Sequence, residues 1–179
     1  FFLLILQNFI FFIITFLNFS SLRGTDFNKY SKYFYYFFND EVSQIGFESG
    51  IGYYWFVTKF FNILKTPLLY SENNLEAFTT ASIQLANYVI FGIGLIGIHY
   101  FFKKSFNFKT ENTLPLLILL SIFPPLIGAK MILKPEIFVF GFLPWLIFIY
   151  YEYFEHKKII YLIISIPMIA LLLSLKASI

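Results

Sequence analysis

Long apolar runs alternate with short charged segments along this chain. Phe1–Phe19 carries no charge and, as a helix, matches the thickness of one bilayer, so it predicts a first membrane span. Ala81–Phe102, Thr113–Ala129, Ile137–Tyr151 and Ile159–Leu175 repeat the pattern and predict four more. The expected architecture is all-α: a polytopic transmembrane helical bundle of about five spans, forming one domain over residues 1–179.

Residues 20–80 break the rhythm. They set Arg23, Lys29, Lys32, Lys59 and Lys65 against Asp26, Asp40, Glu41, Glu48, Glu72 and Glu76. Within this long first loop, Tyr30–Phe38 and Gly52–Leu64 are rich in aromatics with interspersed lysines, the pattern of amphipathic helices lying in the membrane interface. In the second span, Gly92, Gly94 and Gly97 allow close helix contact. Pro124-Pro125 breaks the third span near its end and deprives carbonyls of their helical donors, which neighbouring helices or a watered cavity must replace. Pro144 lies inside the fourth. Residues 130–136 and 152–158 read as short polar connections.

Basic residues orient the bundle. The connections 103–112 and 152–158 hold Lys103, Lys104, Lys109, Lys157 and Lys158, five basic residues in 17, against seven in 68 on the opposite side. The raw count favours the second side, but density favours the first. By the positive-inside rule this predicts a cytoplasmic N-terminus and an extracytoplasmic loop 20–80, in an integral protein of a bacterial inner (plasma) membrane.

Composition agrees with a lipid environment. Hydrophobic residues make up 59% of the chain, charged residues only 13%, and mean hydropathy is +0.74. A soluble domain carries roughly a quarter charged residues. The absence of cysteine excludes disulfides and thiolate metal sites, and His99 and His156 are too far apart in the sequence to suggest a zinc site. A net charge of +3, spread along the chain, makes no case for nucleic acid. The opening run lacks the basic start and small-residue cleavage site of a signal peptide. Phe1 and the ending Lys176-Ala177-Ser178-Ile179 suggest a fragment of a longer protein.

The predicted topology gathers chemistry on one face. Asp26 follows the first span, Lys130, Lys134 and Glu136 join the third to the fourth, and Lys176 ends the fifth. Charges at membrane depth are costly and usually mark a pathway or a site. Lysines there can hold the phosphate of a lipid carrier as point charges, and a carboxylate can take the proton of an attacking hydroxyl. Asp26 is the candidate base. Glu48 and Glu136 are candidate partners for sugar hydroxyls or a divalent metal. Each residue also has a plainer use. Lysines at span ends snorkel to headgroups, Asp26 suits the N-cap of a helix starting at Phe27, and Pro135-Glu136 suits a first helical turn.

The segments Arg23-Gly24-Thr25-Asp26-Phe27-Asn28-Lys29-Tyr30, Phe47-Glu48-Ser49-Gly50 and Lys134-Pro135-Glu136 carry a resemblance. With an early loop Asp, interfacial helices and a return span, the chain resembles the N-terminal half of a GT-C glycosyltransferase, a multi-span enzyme that takes sugars from polyprenyl-phosphate carriers. The resemblance implies a lipid-linked sugar donor, Asp26 as base or as ligand for metal and acceptor, and Lys134 and Lys176 on the carrier phosphate. The commonest form of that family has an adjacent Asp-Glu pair in this loop; here the adjacent pair is Asp40-Glu41, further on. The same residues also look like the EpsG and Wzy-type polysaccharide polymerases. Two other classes remain beside these. A transporter or flippase predicts charges at mid-membrane, broken helices and repeated halves. A non-catalytic membrane scaffold predicts that removing Asp26 and Lys134 costs stability or nothing, but no activity.

Overall fold

The computed structural model describes residues 2–17, 36, 51–65, 75–131 and 136–175. Among them the chain is helical with no strand: α1 (Phe2–Leu17), α2 (Ile51–Lys65), α3 (Leu75–Ser105), α4 (Thr110–Ile122), α5 (Pro124–Met131), α6 (Glu136–His156) and α7 (Ile159–Leu175). The all-α expectation is met. Two stretches, Ser82–Ser105 and Glu136–His156, are long and apolar enough to cross a membrane, whereas the apolar parts of α1, α4 and α7 are shorter.

Several boundaries differ from the sequence reading. The second apolar run extends back to Leu75, and Pro124 cuts the third into α4 and α5. The fourth continues through Glu152–His156, which the charge pattern had assigned to a connection. Glu152 explains the difference, because its carboxylate turns inward. It accepts from the Tyr161 hydroxyl at 3.3 Å, with His156 Nε2 at 3.4 Å. The proposed interfacial helix at 52–64 is α2, which packs into the bundle with Tyr53, Tyr54 and Val57 fully buried and Trp55, Lys59 and Ile63 outward. Its companion at 30–38 lies outside the described residues, apart from Tyr36.

Side-chain contacts give the helix directions. Ile90 meets Gly141, Trp145 reaches Ile93, and Tyr151 reaches Lys104, so α3 and α6 run parallel. Leu4 and Ile5 border Leu95 and Ile96, whereas Phe12 meets Tyr88, so α1 is antiparallel to α3. α7 returns along α6. The turns after α3 and after α6 therefore share one end of the bundle. The end of α5 and the start of α6 lie toward the other.

Helices are held together by close fit and by polar contacts between them. The α3–α6 seam shows both. Pro144 cannot donate to the carbonyl of Phe140, and that oxygen turns toward α3. A Cβ at Gly94 would lie 2.5 Å from it. Trp145 donates its indole N–H to Ile93 O at 2.9 Å, and a Cβ at Gly97 would come within 2.8 Å of that same nitrogen. Only glycine at both positions allows this approach. The outer surfaces of α6 and α7 stay apolar: Ile159, Ile163, Ile166 and Ile147 are all exposed. Surface of this kind calls for an apolar neighbour rather than water.

Candidate functional site

The polar centre of the bundle forms where the third apolar run breaks. Phe123 precedes a proline and is pushed into an extended conformation, with φ −65° and ψ 121°. Its N–H recovers the carbonyl of Leu120 at 3.3 Å, and α5 restarts with Leu126 and Ile127 donating to Phe123 O at 3.0 Å each. The break strips helical donors from several carbonyls, that of Ser121 among them. The helical donor for Ser121 O would be the N–H of residue 125, which is a proline.

Lys130 fills that gap. From the end of α5 it reaches back, and Nζ donates to Ser121 O at 2.9 Å and to Asn8 Oδ1 at 3.3 Å. The side chain is fully buried. Three rings surround the ammonium, with centroids at 4.2 Å (Phe91), 5.3 Å (Phe11) and 5.4 Å (Tyr88), so their negative faces share in stabilising the cation. Among the described residues no carboxylate pairs with it.

The neighbours extend the network over five helices. Asn8 of α1 donates to Leu4 O at 2.9 Å and to Ser121 Oγ at 3.4 Å, and that hydroxyl donates to Leu117 O at 2.8 Å. Asn87 of α3 donates to the Lys130 carbonyl at 3.3 Å and accepts from the Tyr53 hydroxyl of α2 at 3.2 Å. Beside this hub, an apolar cleft of about 250 Å³ runs between α1, α3 and α4, lined by Leu4, Asn8, Tyr88, Gly92, Ile96 and Leu117. The hub can hold a cation and fix a bent helix. Among the described residues it holds no carboxylate, and its Ser121 hydroxyl is committed to the Leu117 carbonyl.

Two further polar contacts sit toward the opposite end. His99 Nδ1 lies 2.8 Å from Thr113 Oγ1, whose own proton goes to Thr110 O at 3.1 Å, so the imidazole is the donor. Glu152, His156 and Tyr161 form the second. No group of three or more potential metal-ligating side chains occurs among the described residues.

Of the residues singled out from the sequence, Lys130 stands at the centre of the hub, facing inward. Glu136 occupies the first turn of α6 and is exposed, a placement that suits the positive end of the helix dipole. Asp26, Glu48, Lys134 and Lys176 lie outside the described residues. Sequence reasoning overlooked Asn8, Asn87, Ser121 and Tyr53. A signal was present, since an amide inside an uncharged run is expensive in hydrocarbon and implies a partner. Comparison with protein-family models, curated proteins and solved structures gives no match to this chain.

Proposed function

We propose that this chain is the helical core of a multi-span membrane glycosyltransferase, which moves a sugar from a polyprenyl-phosphate carrier to an extracytoplasmic acceptor. In this reading all five apolar runs cross the bilayer, Asp26 is the base or a ligand for metal and acceptor, and Lys134 and Lys176 hold the carrier phosphate. Glu48 and Glu136 contact sugar hydroxyls. The observation that supports it is topological. The C-terminal ends of α1, α5 and α7 and the start of α6 point toward one end of the bundle, the end nearest in sequence to these residues. Lys130 then has a supporting role: its ammonium secures the break between α4 and α5.

The test uses the full-length protein and a labelled polyprenyl-phosphate sugar. Label should move to an acceptor, and Asp26→Asn should stop the transfer. Undiminished transfer by that variant would remove Asp26 from the mechanism.

A second reading, transport, draws on the same hub. A helix broken at Phe123 beside a buried cation is a feature of many transporters. Uptake of a solute by proteoliposomes, without covalent transfer, would put this reading first.

A further inference from the structure

The end of the bundle away from Lys130 carries a different pattern. The α3–α4 turn, residues 106–109, and the α6–α7 turn, residues 157–158, both lie at that end. The Tyr151 hydroxyl donates to Lys104 O at 3.4 Å, and the rings of Phe101 and Tyr151 lie edge to face with centroids 6.3 Å apart. Both turns are closed by a residue in the left-handed region, Asn107 at φ 52° and Lys157 at φ 55°. Asparagine tolerates that conformation better than lysine does. Backbone bonds from Phe106 and Phe108 to Phe102 O, and from Lys157 to Tyr153 O, tie the turns down.

Both turns are rich in lysine, and Lys157 Nζ lies over the Phe154 and Tyr153 rings at 5.2 and 5.9 Å. Lys103, Lys104, Lys109, Lys157 and Lys158 are all exposed, and among the described residues none pairs with a carboxylate. Glu152 is already committed to Tyr161 and His156, and the exposed Glu111 and Glu155 at the flanking helix ends form no ion pair with these lysines. Beside these lysines in sequence, Phe102 stacks on Phe106 and on Phe108, the three centroids lying 5.5–5.9 Å apart, and Phe106 and Phe154 remain 56% and 63% exposed. Aromatic rings at headgroup depth with ammonium groups just outside them form an amphiphilic collar.

We propose that this collar is a binding surface for anionic phospholipid headgroups, the unpaired lysines taking the phosphates and the phenylalanine stack lying along the upper acyl chains. Charge complementarity selects the occupant. Zwitterionic headgroups carry their own cation to the surface, whereas anionic ones neutralise five lysines that outnumber the neighbouring Glu111 and Glu155 and are in no ion pair with them. An acidic soluble protein would answer the lysines but leave the exposed phenylalanines in water. The inference rests on the chain spanning a membrane, as proposed above, and is independent of which reaction it performs.

The experiment places the full chain in nanodiscs of phosphatidylcholine with and without phosphatidylglycerol, and weighs the retained lipid by native mass spectrometry. Phosphatidylglycerol should be enriched over its share of the disc by at least about five-fold, the factor one lysine contributes near an anionic surface. The quadruple variant K103Q/K104Q/K157Q/K158Q should lose the enrichment, and the matching arginine variant, which keeps the charge, should retain it. No preference in the unaltered chain, or equal enrichment in the glutamine variant, would overturn the inference. So would equal stabilisation by inorganic phosphate in discs of phosphatidylcholine alone. Insertion into vesicles, judged by resistance to carbonate extraction, tests the spanning premise separately. A chain that inserts but shows no lipid preference sinks this inference alone.

Discussion

Lys130 Nζ stands 2.9 Å from the carbonyl oxygen of Ser121, the acceptor that Pro125 leaves without a backbone donor. The lysine thus replaces a hydrogen bond that the chain cannot make for itself. Burying an ammonium is costly, while leaving the carbonyl unmade costs about 1–3 kcal/mol. The two effects oppose one another in any single substitution.

A double-mutant cycle separates them. Pro125→Ala restores the N–H, so Lys130→Met should be worse tolerated with the native proline in place than in the Pro125→Ala background. Thermal unfolding in detergent should give a coupling of about 1–2 kcal/mol between the sites. Strict additivity would mean that Lys130 does not serve the Ser121 carbonyl.

Two glycines on α3 should respond in opposite ways. A Cβ at Gly94 would meet the Phe140 carbonyl and ring, so Gly94→Ala should force the helices apart at a cost of about 1–3 kcal/mol. Nothing lies within 4 Å of a Cβ at Gly92. Gly92→Ala should be neutral or gain about 0.5–1 kcal/mol from helix propensity. Melting both variants in the same detergent decides the matter, and equal losses would contradict the α3–α6 seam.

Thr113 links α4 to α3 through His99. Thr113→Val keeps the shape and removes the hydroxyl, which should cost about 1–2 kcal/mol with His99 left buried beside a methyl group. Thr113→Ser should recover most of it. Indifference to the valine change would show that the imidazole finds another partner.

The glycosyl-transfer reading separates the lysines by kinetics. Lys134→Gln should raise KM for the carrier by about ten-fold with little change in kcat, as loss of one charge-assisted bond to a bound phosphate predicts. Lys130→Gln should lower the melting temperature and leave the KM of the remaining folded enzyme near its original value. The reverse pattern would return Lys130 to the carrier site.

Hydropathy alone was enough to read helices into the runs that became α1, α3, α4, α6 and α7, because an uninterrupted apolar stretch has few other ways to satisfy its backbone. Pro124-Pro125 marked the broken helix and implied that a carbonyl needed a new donor. Which donor would come was not legible. Lys130 is close to Ser121 in sequence but far from Asn8, Phe11 and Phe91, and only the packing of α1 and α3 around α5 turned its ammonium inward rather than toward a surface. Glu152 was misread for the same reason: its charge suggests a loop, and the Tyr161 hydroxyl that lets it stay on α6 belongs to the next helix. The spacing of Gly94 and Gly97 suggested a close helix contact. Tertiary structure chose α6 as the partner, where Pro144 had turned a carbonyl outward. One-dimensional pattern determines where a chain avoids water; only the folded arrangement decides which polar groups, once inside, find one another.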